Sequence, residues 1–169
     1  MSSTPRDPRS PKGIWDEPHR LAAMASVNWL LKADSLIAAF ETLIADDERR
    51  AEQNQPRRIQ SVAYMLAGFA FENLLKGILI SGESPLDERG RFILKSHNLL
   101  ELSVEAGYTF NDEDRRLLER AQEFAIWAGR YPIPLNSESI PRVFHAQGED
   151  WATIRLLFAK LRDDLQRLR

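Results

Sequence analysis

The most apolar stretch of the chain covers residues 62–80, where hydrophobic residues follow one another almost without interruption. A helix formed here would be apolar on nearly every side, which predicts a helix surrounded by other helices. Glu72, Asn73 and Lys76 lie near its middle. A charge at mid-depth of a bilayer costs roughly 2.5 to 3.5 kcal/mol, so these residues argue against a membrane span. The stretch therefore predicts the core helix of a soluble protein with no membrane partner.

The two charges in this stretch are expected to form a pair. Glu72 precedes Lys76 by four residues, which is the favourable order for an ion pair on one helix face. An unpaired charge inside an apolar helix is strongly disfavoured. We therefore predict that Glu72 and Lys76 form a structural charge pair, with no chemical role of their own.

A helical pattern also precedes the core stretch, over residues 19–53. Its apolar residues include Leu30, Ile37 and Ile44 at seven-residue spacing. Pro56 follows a polar run and is predicted as an early residue of the next helix, which continues through the core stretch. Two long helices with so short a connection predict an antiparallel hairpin.

The chain after the core stretch shows one loop and one short helix. Residues 81–90 are rich in turn-forming residues and predict a loop. Ser96 is predicted to cap a short helix that begins at His97 and that Gly107 ends.

Two further helices complete the predicted fold. Asn111 can cap a helix that ends near Arg130, because Pro132 disfavours helical geometry at the residue before it. After a long loop over residues 132–147, periodic apolar residues predict a last helix over residues 149–168. The sequence therefore predicts an all-α, up-down bundle of about five helices over residues 19–169. A Pro-rich tail at residues 1–18 is predicted to be disordered.

Composition excludes several kinds of chemistry. The chain has no cysteine, so disulfides, thiolate metal sites and cysteine nucleophiles are absent. No two of its three histidines stand at the spacing of a metal site, and no Gly-rich phosphate loop is present. We therefore expect no metal and no cofactor. The net charge of −2 gives no global attraction to nucleic acid, so such a partner would need a local patch. The N-terminus shows no apolar signal core, which favours the cytoplasm.

Three segments together resemble the HEPN family, the higher eukaryotes and prokaryotes nucleotide-binding domain. They are FENLLKGILI at residues 71–80, KSHNLLEL at residues 95–102 and IWAGRYPIP at residues 126–134. The family typically shows a Glu-x-x-Leu-Lys core helix, a Ser/Thr-His-Asp/Asn-Leu start to a short helix and an Arg-Tyr-Pro that ends a later one. The resemblance covers roughly residues 20 to 168 and implies a helical bundle that works as a homodimer. It also implies a nucleotidyltransferase-like partner protein, a toxin/antitoxin or defence role, and RNA as the target of active members.

The resemblance and the local charge indicate one candidate site. Lys95, His97, Arg130 and Tyr131 are predicted to bind RNA or a nucleotide, with the start of the short helix offering free N–H groups to a phosphate. Arg91 and His97 have the bare spacing of the family's ribonuclease motif and are the candidate catalytic pair. In that motif a histidine would serve as general acid or base and an arginine would stabilise the phosphate.

The first interpretation is a regulatory protein that binds RNA or a nucleotide without cutting it. Phe92 stands where the family carries a polar residue, and no histidine follows Arg130 within six residues. Two alternatives stay open: a metal-independent ribonuclease that uses Arg91 and His97, and a dimeric interaction module with no ligand. Apolar positions left over for a dimer surface include Trp29, Trp127 and Trp151.

Overall fold

A computed structural model describes residues 11–56, 59–82, 84–87, 92–130 and 150–169. Within these ranges the chain forms six α-helices and no β-strand, which confirms the all-α prediction. A turn of π-helix, Phe124–Ala128, continues the fifth helix. The helices are α1 (Pro11–Met24), α2 (Ser26–Glu52), α3 (Gln60–Gly82), α4 (Leu99–Glu105), α5 (Asp112–Glu123) and α6 (Asp150–Arg167).

The central helix of the bundle is α3, as the apolar stretch predicts. It packs against α2, α4, α5, α6 and the π-helical turn. Two glycines allow this close packing. A Cβ on Gly68 would lie 2.5 Å from the backbone oxygen of Ala121 in α5, and one on Gly77 would lie 2.7 Å from a methyl of Leu165 in α6. Such distances exclude a larger residue unless the helices move apart.

The described part of the chain contains one helix, α3, that is long and apolar enough to cross a membrane. However, 67% of its most apolar window is buried inside the protein. This burial is expected of the core helix of a soluble protein.

The first predicted helix is two helices in the structure. Ala25 adopts an extended conformation and separates α1 from α2. Side chains at the start of α2 bond the open carbonyl groups at the end of α1: Asn28 Nδ2 donates to Ala22 O at 2.9 Å, and Trp29 Nε1 donates to Ala23 O at 3.2 Å. The prediction of one continuous helix over residues 19–53 is therefore wrong. Furthermore, α1 begins at Pro11, inside the segment predicted as a disordered tail, and residues 1–10 lie outside the described ranges.

Two helix starts also differ from the prediction. The core helix begins at Gln60, so Pro56 lies four residues before it rather than in its first turn. The short helix α4 begins at Leu99, and its cap is Asn98 instead of Ser96. Asn98 is the cap because its carboxamide oxygen accepts hydrogen bonds from two backbone N–H groups of the first turn.

The later helices follow the sequence pattern closely. Asn111 caps α5 by accepting from the N–H of Asp114 at 2.8 Å, as predicted. The helical segment ends at Gly129 after the π-helical turn, and α6 lies within one residue of its predicted limits. The long loop predicted over residues 132–147 lies outside the described residues.

Two ion pairs fix the direction of α6 relative to α2. Arg162 binds Asp34 with two hydrogen bonds of 2.7 and 3.1 Å, and Arg155 binds Glu41 with bonds of 2.8 and 2.7 Å. The two arginines are seven residues apart on α6, and their partners are seven residues apart in the opposite order on α2. The two helices therefore run antiparallel, in keeping with an up-down bundle.

Candidate functional site

The structure places the two charges of the core helix in direct contact. Lys76 Nζ donates to Glu72 Oε1 at 2.7 Å. The side chains are 5% and 13% exposed, respectively, so the pair lies in a largely apolar setting. The carboxylate of Glu72 therefore carries a buried counter-ion, and its remaining lone pairs can accept from other groups.

His97 occupies the open side of the same carboxylate. Its Nδ1 lies 3.0 Å from Oε1 and 3.1 Å from Oε2 of Glu72, while its side chain is 68% exposed. A carboxylate next to Nδ1 favours the form of the ring with a proton on that nitrogen. Nε2 is on the opposite side of the ring and is the atom that a ligand would meet. A histidine oriented in this way can accept or donate a proton at Nε2.

The N–H groups at the start of α4 are not free, contrary to the prediction. The N–H groups of Leu100 and Glu101 both donate to the Asn98 side chain, at 3.1 and 3.2 Å. The N–H of Leu99 donates to Gln122 Oε1 at 2.7 Å. These backbone donors are therefore used within the protein. A phosphate near His97 would have to be held by side chains.

Arg130 reaches the same helix as His97. Its guanidinium carbon lies 5.0 Å from the ring centroid of Phe69, and the residue is exposed. Gly129 permits the approach, because a Cβ there would lie 2.6 Å from the Cβ of Met65 in α3. Stacking on an aromatic ring fixes a guanidinium while leaving its N–H donors for a ligand.

His97 and Arg130 therefore lie on one face of α3, which we call the α3 face. It consists of Phe69, Glu72, Asn73 and Lys76, together with His97 and Arg130, which contact it. Phe69 and Glu72 are three residues apart and hence neighbours on the helix surface.

The remaining predicted site residues have different outcomes. Lys95 is exposed, two residues before His97. Arg91 and Tyr131 lie outside the described residues, so the candidate catalytic pair of Arg91 and His97 and the proposed stacking ring are not placed. No group of three or more potential metal ligands occurs in the described part of the chain.

A buried polar network lies apart from the predicted site. Arg120 donates to both oxygens of Asp150, at 2.8 and 2.6 Å, and the hydroxyl of Tyr64 also donates to Asp150. Asp150 is the first residue of α6 and is 7% exposed. A carboxylate at that position also interacts favourably with the helix dipole. Since both of its oxygens are bonded, this network is best explained as a structural link between α3, α5 and α6.

The contacts that Trp29, Phe92 and Asn73 make were not predicted from the sequence. Trp29 and Phe92 stack with their ring centroids 5.7 Å apart and an angle of 11° between the ring planes. Asn73 Nδ2 donates to the backbone oxygen of Phe69 at 2.7 Å. The position of Trp29 on an amphipathic helix could have suggested a packing role for that residue. Its contact with Phe92 could not be predicted, because the two residues are far apart in the chain.

Comparisons with known proteins return no match: no family model, no curated protein and no solved structure is similar to this chain.

Proposed function

We propose that this chain is a HEPN-like regulatory protein that binds RNA or a nucleotide on the α3 face and does not cleave it. The supporting observation is that Arg130 contacts Phe69 and His97 contacts Glu72, two residues that lie within one turn of each other on α3. Lys95 adds a second exposed cationic residue, and it lies close to His97 in the chain. The resemblance in three segments supports the family and a toxin/antitoxin or defence setting.

The arrangement suits a phosphodiester for physical reasons. A guanidinium stacked on an aromatic ring offers fixed donors to phosphate oxygens, and Nε2 of His97, which lacks a proton when Nδ1 carries it, can accept a hydrogen bond from a ribose hydroxyl. Because the chain has a net charge of −2, attraction must be local and should be weakened readily by salt. We therefore expect weak binding to single-stranded RNA that depends on a few side chains.

The test is a fluorescence polarisation titration of labelled, mixed-sequence RNA oligomers at increasing salt. We expect affinity to fall with salt and to be lost in Lys95→Glu and Arg130→Glu. Arg116→Glu is the matched control, because Arg116 is exposed on α5. It lies 14 residues before Arg130, so at 1.5 Å per residue the two are roughly 20 Å apart along the helix. This substitution changes the net charge equally and should keep binding. Equal loss in all three variants, or no binding of RNA and common nucleotides at low salt, would contradict the proposal.

A ribonuclease is the second candidate, and the contact between His97 and Glu72 favours it. A histidine oriented by a carboxylate is a suitable general base or acid for attack by a ribose 2′-hydroxyl. Incubation of the purified protein with a mixed RNA pool distinguishes the two. Binding without cleavage is our expectation. Cleavage that disappears in His97→Ala while affinity persists would establish the ribonuclease instead.

The RNA and nucleotide titration also tests the third candidate, a dimeric interaction module without a ligand. Such a module would bind neither RNA nor nucleotides. A homodimer and a nucleotidyltransferase-like partner remain part of the proposal through the resemblance. The dimer surface, however, has to be found elsewhere than at Trp127 and Trp151. These two side chains are 8% and 5% exposed within a single chain.

A further inference from the structure

A pocket of about 440 Å³ lies between α1, α2 and α3. It is lined by His19, Asn28, Trp29, Asn73, Phe92 and two alanines of α1. Pockets of this size hold small organic ligands. Asn73 directly follows Glu72 on α3, so the pocket adjoins the position where His97 binds. None of the functional residues predicted from the sequence lines it.

The aromatic wall of the pocket is held in place from several sides. Trp29 Nε1 donates to Ala23 O, which fixes the indole ring against the end of α1. The ring of Phe92 stacks on it nearly parallel, and Phe92 pairs through its backbone with Leu86. A fixed, planar and largely apolar wall suits a planar ring without charge.

The polar side chains of the pocket are His19 and two amides, Asn28 and Asn73, with no lysine or arginine. One N–H of Asn73 is used by the backbone oxygen of Phe69, and one N–H of Asn28 by the backbone oxygen of Ala22. Each carboxamide is thereby oriented, and it retains an acceptor oxygen and a second N–H. An amide donor beside an amide acceptor is the pattern that pairs with the edge of a nucleobase.

We propose that this pocket holds the base of the nucleotide whose phosphate binds at His97 and Arg130. This proposal relies on the proposed function for the phosphate site. The residues that would hold the base are different ones. The division of charge supports it: the residues that line the pocket include no lysine or arginine, while Arg130 and His97 contact Phe69 and Glu72, which neighbour Asn73 on α3. A ligand that spans both must therefore combine an uncharged planar part with an anionic part.

Three probes separate the two halves of the ligand: adenosine, ribose 5-phosphate and adenosine monophosphate, each titrated by isothermal calorimetry. The base variant is Phe92→Leu, which removes the aromatic ring but keeps apolar volume. Its matched control is Phe110→Leu, because Phe110 stacks on Tyr108 in the same way, with centroids 5.3 Å apart, and does not line the pocket. The phosphate variant is Arg130→Glu. Melting temperatures confirm that each variant is folded.

We expect Phe92→Leu to weaken adenosine and adenosine monophosphate about tenfold or more, in line with the loss of a stacked ring. Ribose 5-phosphate should be unaffected by that variant, and Phe110→Leu should change nothing. Arg130→Glu should weaken the two phosphate-bearing probes and spare adenosine.

The outcomes distinguish failure of the base pocket from failure of the proposed function. If the monophosphate binds and depends on Arg130 but not on Phe92, the base pocket is wrong while the phosphate site stands. If adenosine binds and depends on Phe92 but no probe depends on Arg130, the pocket stands while the proposed function fails. An effect of Phe110→Leu equal to that of Phe92→Leu, or no binding of any probe at millimolar concentration, overturns the pocket.

Discussion

Glu72→Ala is the substitution that perturbs the α3 face most strongly. It removes the partner of Lys76, whose side chain is 5% exposed, and leaves an ammonium group in an apolar setting. Breaking a buried ion pair by removing one member typically costs about 3 to 5 kcal/mol. Glu72 itself retains 13% exposure, so water can reach the vacated space and the lower end of that range applies.

The expected loss can be expressed as a melting temperature. For a chain of this size, 1 kcal/mol corresponds to roughly 2 to 4 °C, so a loss of about 3 kcal/mol predicts a decrease of roughly 6 to 12 °C. Thermal unfolding followed by circular dichroism measures the shift, and urea titration gives the free energy of unfolding directly. Replacing Glu72 and Lys76 together with leucine should be much milder, because no charge is left unpaired.

Two controls isolate the effect of burial. Glu41→Ala breaks the pair with Arg155, whose members are 42% and 44% exposed, and should cost no more than about 1 kcal/mol. His97→Ala removes the other partner of Glu72 and should change stability little, because that ring is largely exposed. A melting temperature of Glu72→Ala within a degree or two of wild type, or a loss no larger than that of Glu41→Ala, would refute the reasoning.

The remaining predictions concern pH dependence and assembly. Burial, followed by the hydrogen bond that Tyr108 donates to Asp164, raises the pKa of Tyr108 above its usual range. The folded state therefore keeps this proton more tightly than the unfolded state. Its contribution to stability is complete below about pH 10, the ordinary pKa of tyrosine, and is lost as pH rises beyond it. Urea titrations across that range should show a steeper loss for wild type than for Tyr108→Phe, and equal slopes would contradict the assignment. By light scattering at micromolar concentration we expect a homodimer, and a mass near 19.4 kDa would rule it out.

The parts of the fold that could be predicted from sequence are those set by local chemistry. The Asn111 cap and the limits of α6 follow from side chains close to the helix ends and from regular apolar spacing. The break at Ala25 could not be predicted in this way, because alanine is a strong helix former. That break is stabilised by Asn28 and Trp29, which bond carbonyl groups six residues earlier in the chain.

The candidate site likewise contains one contact that could be predicted from the sequence and others that could not. The pairing of Glu72 with Lys76 is visible from their spacing on one helix. The contact of His97 with Glu72 joins residues 25 positions apart, and the contact of Arg130 with Phe69 joins residues still farther apart. Such contacts depend on how the helices pack, which no local pattern specifies. The N–H groups at the start of α4 are bonded within the protein, because Asn98 caps the helix and Gln122 accepts from Leu99, which lies 23 residues away in the chain.

The central claim is that one face of α3 binds a phosphate-bearing ligand, and its most direct test is chemical-shift mapping by nuclear magnetic resonance. A short single-stranded RNA is titrated into ¹⁵N-labelled protein at low salt while the backbone amide signals are followed. We expect the shifts to concentrate at residues 69–76, 92–98 and 126–130 and to be suppressed in Arg130→Glu. Shifts that cluster instead on the outer side of α6, or no shifts at all at saturating RNA, would contradict it.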